Sequence, residues 1–284
     1  MTKEDQARRA DAFRSLHFAD KPLLLPNAWD VASAKLYEQD GFLAVGTTSA
    51  GIAATRGFPD GQRIGVEATV EVVDRAARCL SIPISADIEA GYAEAPEAVA
   101  EAARAVLRAG AVGINLEDSL SGCGVDHYAR LFDIDDQCDK IRAIRRVAEV
   151  EGVPLFINAR TDVFLLAGEK RGRKIDEAIE RGNAYLEAGA DGVFVPDVGD
   201  LDQGAIRKLV GEIGGPLNVI AGGNTPSVST LEQLGVARLS VGPRPMRAAL
   251  AFLRSIAREW VEEGTYTRMS AEALSYDEVN GWFS

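Results

Sequence analysis

"RAGAVGINLED" at residues 108–118 and "EAGADGVFVPD" at 187–197 are one phrase written twice. Each closes a helical stretch on Ala-Gly, turns within a few residues and launches an apolar run that ends on acid. A glycine just past the last helical turn supplies a left-handed cap, and so short a link is usual between a helix and the next strand of an α/β unit. Working outward, the same kind of run recurs at 23–27 (LLLPN), 42–48 (FLAVGTT), 83–89 (PISADIE), 154–160 (PLFINAR), 217–222 (LNVIAG) and 238–242 (RLSVG). Helical periodicity fills the gaps, as at 97–109, 136–150 and 174–188, with Val99, Ala102, Val106 and Leu107 sharing one face and Ile175, Ile179 and Leu186 another.

Eight strand-helix units over about 250 residues predict an α/β fold of the (β/α)8 TIM-barrel class, whose wall strands are buried on both faces. A doubly wound open sheet is the competing architecture. Its dinucleotide-binding form needs GxGxxG after the first strand, and none is present. With no linker or compositional break, residues 1–284 read as one domain with an N-terminal helix and a polar C-terminal extension over 265–284.

Composition narrows the function. The 284 residues are 46% hydrophobic, enough for one large core, and carry 31 Lys plus Arg against 43 Asp plus Glu, a net charge of −12. That balance argues against a broad nucleic-acid surface and requires any anionic substrate to be drawn by local cations. Cys79, Cys123 and Cys138 are odd in number and lack CxxC spacing, so neither a disulfide framework nor a zinc site is indicated. The charged N-terminus is not an export signal and no stretch of 18 apolar residues occurs. A cytoplasmic protein with no membrane and no nucleic-acid partner is expected.

Barrel enzymes carry their chemistry at the C-terminal ends of the strands. Here those ends hold Thr47, Thr48 and Ser49, then Asp87 and Glu89, Glu117 and Asp118, Arg160 and Asp162, and Asp197. Strand alternation puts Asp87 and Glu89 on one face, and the next strand brings Glu117 beside them. Converging carboxylates in a low-dielectric wall repel unless a cation compensates them, and an all-oxygen set suits Mg2+ or Mn2+. The competing reading pairs Glu117 or Asp118 with Arg160. Arg160, following an apolar run, offers a planar fork for a substrate carboxylate or phosphonate. His17 reads as a surface or packing residue. "SLSGCGVDHYARLF" at 119–132, with Cys123 and His127, reads as a mobile lid. "AGGNTPS" at 221–227 is a weak candidate phosphate cradle.

At this point the chain resembles the isocitrate lyase and phosphoenolpyruvate mutase superfamily from about Leu24 to Leu250. The likeness rests on "GTTSAGIAATRGFPDG" after the second strand, "ADIEAGY", "GINLEDS" and "INARTD", in that order. The resemblance implies a Mg2+-dependent enzyme that makes or breaks a bond next to a 2-oxo acid through an enolate or related oxyanion held on the metal. It implies Asp87 as direct metal ligand, with Asp60, Glu89 and Glu117 around the metal's waters, and Arg160 with Thr48 and Ser49 on the substrate. It also implies a homodimer or homotetramer that exchanges the eighth barrel helix, for which "MRAALAFLRSIAREW" at 246–260 is suitably apolar around its circumference.

Departures direct the choice of chemistry. The lyase branch has K-K-C-G-H in its lid; "SGCGV" keeps Cys123-Gly124 without the lysines or the histidine. The mutase and phosphonopyruvate hydrolase branch has an asparagine-serine lid, and no Asn occurs between Ser119 and Arg130. Pro196-Asp197 stands where lyases show Pro-Glu, and the loop after the seventh strand has glycine where relatives place polar side chains. The expected function is carbon–carbon cleavage of a small 2-oxo or 2-hydroxy (di)carboxylic acid, by a lyase or hydrolase. Asp60 and Asp197 join Arg160 as catalytic candidates. Cys123 is a candidate acid/base, yet without a neighbouring Lys or His to lower its pKa it is expected to be incidental. Phosphorus–carbon chemistry is the alternative, and a non-catalytic binding protein on a retained barrel is the second.

Overall fold

The computed structural model describes residues 1–121, 128–166, 171–197, 201–271 and 273–283. In chain order the elements are α1 (Lys3–Leu16), β1 (Leu23–Leu25), β2 (Asn27–Ala28), α2 (Val31–Gln39), β3 (Val45–Thr47), α3 (Ser49–Thr55), α4 (Val66–Cys79) and β4 (Ile84–Asp87). There follow α5 (Pro96–Arg108), β5 (Gly113–Glu117), β6 (Ser119–Ser121), β7 (Tyr128–Leu131), α6 (Ile134–Glu151), β8 (Phe156–Arg160), α7 (Arg171–Glu187) and β9 (Gly192–Val195). The chain continues with α8 (Gln203–Glu212), β10 (Leu217–Ile220), α9 (Val228–Leu234), β11 (Arg238–Ser240), α10 (Arg244–Glu263), α11 (Thr267–Ala271) and α12 (Tyr276–Gly281).

Among the described residues, nine strands form one parallel sheet in the order β1-β11-β10-β9-β8-β5-β4-β3-β2. Its two ends, β1 and β2, are one chain segment interrupted at Pro26, which has no N–H to give to the ladder. β1 pairs with β11 and β2 with β3, so the wall closes into eight staves as the sequence predicts. Asn27 reinforces the seam. Its Oδ1 accepts the N–H groups of Val241 (2.9 Å) and Gly242 (2.8 Å), and its Nδ2 donates to the Thr47 carbonyl (2.8 Å).

The barrel interior is layered. At the bottom, α1 starts at a Thr2 capping box and inserts Phe13, fully buried and edge-on to Phe156 at 5.6 Å. His17 is buried too, stacked on the Phe156 ring at 3.9 Å, and burial pushes its imidazole down to about 3, so it sits neutral. Above lies a polar layer in which Asn158 donates to Asn115 (2.9 Å) and Asn218 (3.1 Å), and Arg238, 1% exposed, donates to Asn115 (3.1 Å). The mouth above this layer holds the acids.

Two features lie outside the barrel proper. β6 and β7 form an antiparallel hairpin over the expected lid, and the predicted Cys123, with His127, falls on 122–127, outside the described residues. α10 stands off its own barrel: Met246 is buried, but Leu250, Phe252, Leu253 and Trp260 are 53, 48, 59 and 65% exposed. Glu259 near its end accepts from Thr265 Oγ1 and the Thr267 and Arg268 N–H groups, so the C-terminal extension travels with α10. Of the other cysteines, Cys79 is an exposed and Cys138 a buried free thiol. No helix among the described residues is long and apolar enough to cross a membrane.

Candidate active site

A cavity of about 270 Å³ opens at the C-terminal mouth, with Thr48, Ser49, Asp60, Asp87, Arg160 and Asp197 among the residues lining it. Asp87 ends β4 and points inward. Its main-chain N–H donates to Thr47 Oγ1 (2.8 Å), while Oδ2 accepts from the Ser49 hydroxyl (3.1 Å) and the Ser49 N–H (3.3 Å). The Ser49 hydroxyl also lies 3.5 Å from Asp60 Oδ1, so this one serine joins two acids from different loops. The resemblance gives Ser49 to the substrate; here it orients Asp87. Thr48 is buried, and its hydroxyl caps α3 through the Gly51 N–H at 3.4 Å.

Glu89 reaches the cluster by another route than the one expected. Strand alternation stops at Asp87, and Glu89 has a left-handed backbone at φ 50°. Two more non-glycine residues share that conformation, Gln62 at φ 57° and Tyr92 at φ 58°. All three are tied together: Gln62 donates its N–H to Glu89 Oε2 (2.6 Å), and Tyr92 donates its N–H to Gln62 Oε1 (2.6 Å). Such residues each cost on the order of 1–3 kcal/mol and persist where surrounding contacts over-determine them. Gln62 carries no sequence signal for this; only the long polar loop between α3 and α4 hints that something there must be held. Burial, with Asp60 and Asp87 adding their charges, pushes Glu89 up to about 8.

Glu117 is repelled by Asp87 and Glu89, as expected of the third acid, and it also has a cation beside it. Its Oε2 lies 2.8 Å from Arg160 Nη1, which favours the ionised form, yet burial, with Asp162, Asp87 and Glu89 adding their charges, raises its pKa well above the ordinary value. Arg160 in turn places Nε 2.5 Å from Asp162 Oδ1 and Nη2 3.1 Å from Asp162 Oδ2. The fork that was to be offered to a substrate is thus clasped along one edge by Asp162. Asp118 points the other way, out of the barrel. It is fully buried, accepts from Tyr185 Oη (2.7 Å), Arg181 Nη1 (3.3 Å) and the Asp162 N–H (2.9 Å), and ties α7 to the wall. Asp197 follows β9, and its Oδ2 accepts the Leu201 N–H at 2.9 Å.

Could these residues hold a metal? The donors at Asp60, Asp87 and Glu89 are all oxygen, and burial, with the charges of Asp60 and Asp87 added to it, penalises the ionised form of Glu89, a penalty that a cation would relieve. No three His, Cys, Asp or Glu side chains among the described residues close on one point by themselves. An ion here would complete its shell with water, which suits Mg2+, since it keeps several waters and takes one or two carboxylates. The residues therefore fit that group, with Asp87 as the acid at the centre.

Residues 13–261 match the phosphoenolpyruvate phosphomutase family. The chain belongs to that family. It lies within the isocitrate lyase/phosphoenolpyruvate mutase superfamily of lyases and mutases. An uncharacterised Mycobacterium tuberculosis protein, Rv1998c, is 34% identical over 94% of this chain and 97% of its own length. The 2-methylisocitrate lyase of Halalkalibacterium halodurans is 29% identical over 97% of this chain and 92% of its own. A crystal structure from Burkholderia cenocepacia J2315, provisionally described as a lyase/mutase, is 35% identical with a TM-score of 0.88, covering 99% of this chain and 97% of that one.

The raised Glu89 pKa yields a stability prediction. Its folded value, about 8, lies above the ordinary 4.5, so between these pH values the folded protein binds the extra proton. Glu89's contribution is then fully present below about pH 4.5 and is lost as pH rises through about 8. In EDTA-treated protein, the thermal midpoint of wild type should fall across this window relative to Glu89→Gln, which has no proton to lose. Parallel curves would show that Glu89 is already ionised and compensated.

Proposed function

We propose that this protein is a Mg2+-dependent lyase or hydrolase that cleaves a carbon–carbon bond in a small 2-oxo or 2-hydroxy (di)carboxylic acid. The observation that carries the reading is the juxtaposition, in one cavity, of the Asp87–Ser49–Asp60 acid cluster with Arg160. The relatives named 2-methylisocitrate lyase support the same reaction class. Asp87 would hold the ion, with Asp60 and Glu89 accepting from its waters. Bound there, Mg2+ would supply electrostatic stabilisation for negative charge developing on the substrate's oxo oxygen.

The chain's own residues do the positioning. Ser49, through its hydroxyl and N–H, fixes the rotamer of Asp87, and Thr47 fixes the strand end beneath it. Glu117 and Asp162 hold the Arg160 guanidinium in one plane, which pre-pays the ordering of a long side chain before a substrate carboxylate arrives. Glu89, with its carboxyl protonated at neutral pH in the absence of a cation, keeps a proton at the acid cluster. Asp197 lines the same cavity from the loop after β9 and is the candidate acid/base there.

Phosphorus–carbon chemistry is the competing reading, favoured by the family to which the chain belongs. Screening oxaloacetate-like, methylisocitrate-like and malate-like acids against phosphonopyruvate, all with Mg2+, separates the two. Turnover of a carboxylic acid is expected; turnover of the phosphonate alone would replace carbon–carbon cleavage by the mutase or hydrolase reaction.

We also propose that the protein assembles as a homodimer or homotetramer by exchange of α10. Beyond the exposed apolar face of α10, the outward side chain of β1, Leu24, is 40% exposed where a flanking helix would cover it. Light scattering should give a dimer or tetramer, and Leu253→Glu should shift it toward monomer. A wild-type monomer would contradict the exchange.

A further inference from the structure

The polar layer beneath the acid cluster lays the floor of the cavity, and Asn115 is the member of it that stands beside Asp87. The two residues are Cα partners in the parallel register of β4 and β5, about 4.8 Å apart as neighbouring strands are, and both line the cavity. An asparagine amide offers an oxygen on one side and an NH2 on the other, and which of them faces a ligand decides whether the site accepts or donates a hydrogen bond. Here that choice is made from below.

Asn115 Oδ1 lies 3.1 Å from Arg238 Nη2 and 2.9 Å from Asn158 Nδ2. Arg238 rises from β11, diametrically across the eight staves from β5, and is 1% exposed. A guanidinium carries donors only, so the Asn115 atom beside it must be the oxygen. Burial pushes the Arg238 pKa down to about 9, which leaves it protonated at neutral pH. The second donor is fixed in the same way. Asn158 gives Nδ2 to Asn115 and to Asn218 Oδ1 (3.1 Å), while Asn218 Nδ2 donates to the Val219 and Arg238 carbonyls (2.8 and 3.1 Å), which can only accept. All three amides therefore take their sense from a neighbour that has only one.

With Oδ1 engaged twice, Nδ2 is the atom that Asn115 has left for the cavity. It has no hydrogen-bond partner among the described residues, and it is not sealed off from the cavity as the unpartnered Nε and Nη1 of Arg238 are. Donation from Arg238 to Oδ1 also polarises the amide and makes its NH2 the stronger donor.

We propose that Asn115 Nδ2 donates a hydrogen bond to the anionic oxygen that the substrate sets beside Asp87, and that Arg238 is the positioning residue that holds the amide in that sense. This rests on the 2-oxo acid reading above and adds to it a neutral donor for the oxygen on which charge develops. An amide oriented before the substrate arrives needs no reorganisation when that charge appears. Being neutral, it also leaves the carboxylates of the cluster to the cation.

The test titrates oxalate, a planar dianion shaped like the enolate of a 2-oxo acid, in Mg2+ against wild type, Asn115→Leu, Arg238→Met and the double variant. Mn2+ affinity and circular dichroism are measured alongside. Asn115→Leu should weaken oxalate by roughly tenfold to a hundredfold, the scale of a hydrogen bond to a charged group, with Mn2+ affinity kept within about threefold. Arg238→Met should weaken oxalate by about threefold to tenfold, and by less than about twofold once Asn115 is already leucine, because it acts through that amide. Unchanged oxalate affinity in Asn115→Leu, or a full Arg238→Met effect in the leucine background, overturns the assignment. If wild type does not bind oxalate the 2-oxo acid reading fails. In that case, or where a variant does not fold, a neutron structure of the deuterium-exchanged wild-type protein decides the amide alone. Asn115 deuterons directed into the cavity uphold the donor; its oxygen there, or a mixture of the two orientations, overturns it.

Discussion

Arg160 is a cation that two acids of the mouth, Glu117 and Asp162, share, and much of the structure is arranged to keep it in place. A lone charge in a closed barrel wall would cost several kcal/mol in lost hydration, and removing one partner of a buried pair typically costs about 3–5 kcal/mol. Glu117 and Asp162 meet that charge from both sides. Asp162 also accepts from the Ser119 hydroxyl (2.5 Å), and its N–H donates to Asp118, which binds Arg181 and Tyr185 of α7. The ion pair at the mouth is therefore coupled to the packing of a helix on the outside of the wall.

This constraint divides the acids into two populations. Glu117, Asp118 and Asp162 are compensated by arginines within the chain and serve as framework. Asp60, Asp87 and Glu89 are joined by the neutral donors Ser49 and Gln62, and the charges of Asp60 and Asp87 help to raise the pKa of Glu89. The left-handed backbone at Gln62, Glu89 and Tyr92 falls in this second population, whereas raised carboxyl pKa values occur in both, at Glu89 and at the buried Glu117 and Asp118. Backbone strain collects beside the candidate site, and the framework around Arg160 over-determines the geometry enough to hold it there.

Much of this was legible in the sequence because the fold is periodic. The eight apolar runs, the Ala-Gly helix ends and the acids at the strand ends each obey a local rule, and the barrel follows from their repetition. Where the local rule breaks, reading from sequence fails. Glu89 was placed beside Asp87 by alternation, yet it arrives through a left-handed turn. Glu117 combines both readings of it, repelled by Asp87 and Glu89 and paired with Arg160. Gln62 acts through a contact with Glu89, in a separate loop of the chain, for which no spacing rule exists. His17, read as a surface or packing residue, is buried because α1 closes the bottom of the barrel.

The central claim is that the acid cluster centred on Asp87 holds a divalent cation. Mn2+ reports on it most directly, since its free and bound forms are distinguished by electron paramagnetic resonance and it accepts the same oxygen ligands as Mg2+. Titrating wild type and Asp87→Ala, with circular dichroism to confirm that both are folded, should show saturable Mn2+ binding that Mg2+ displaces in wild type and that is weakened by roughly a hundredfold or more in the variant. Equal Mn2+ affinity in the two proteins, or no binding to wild type at millimolar concentration, would contradict the account.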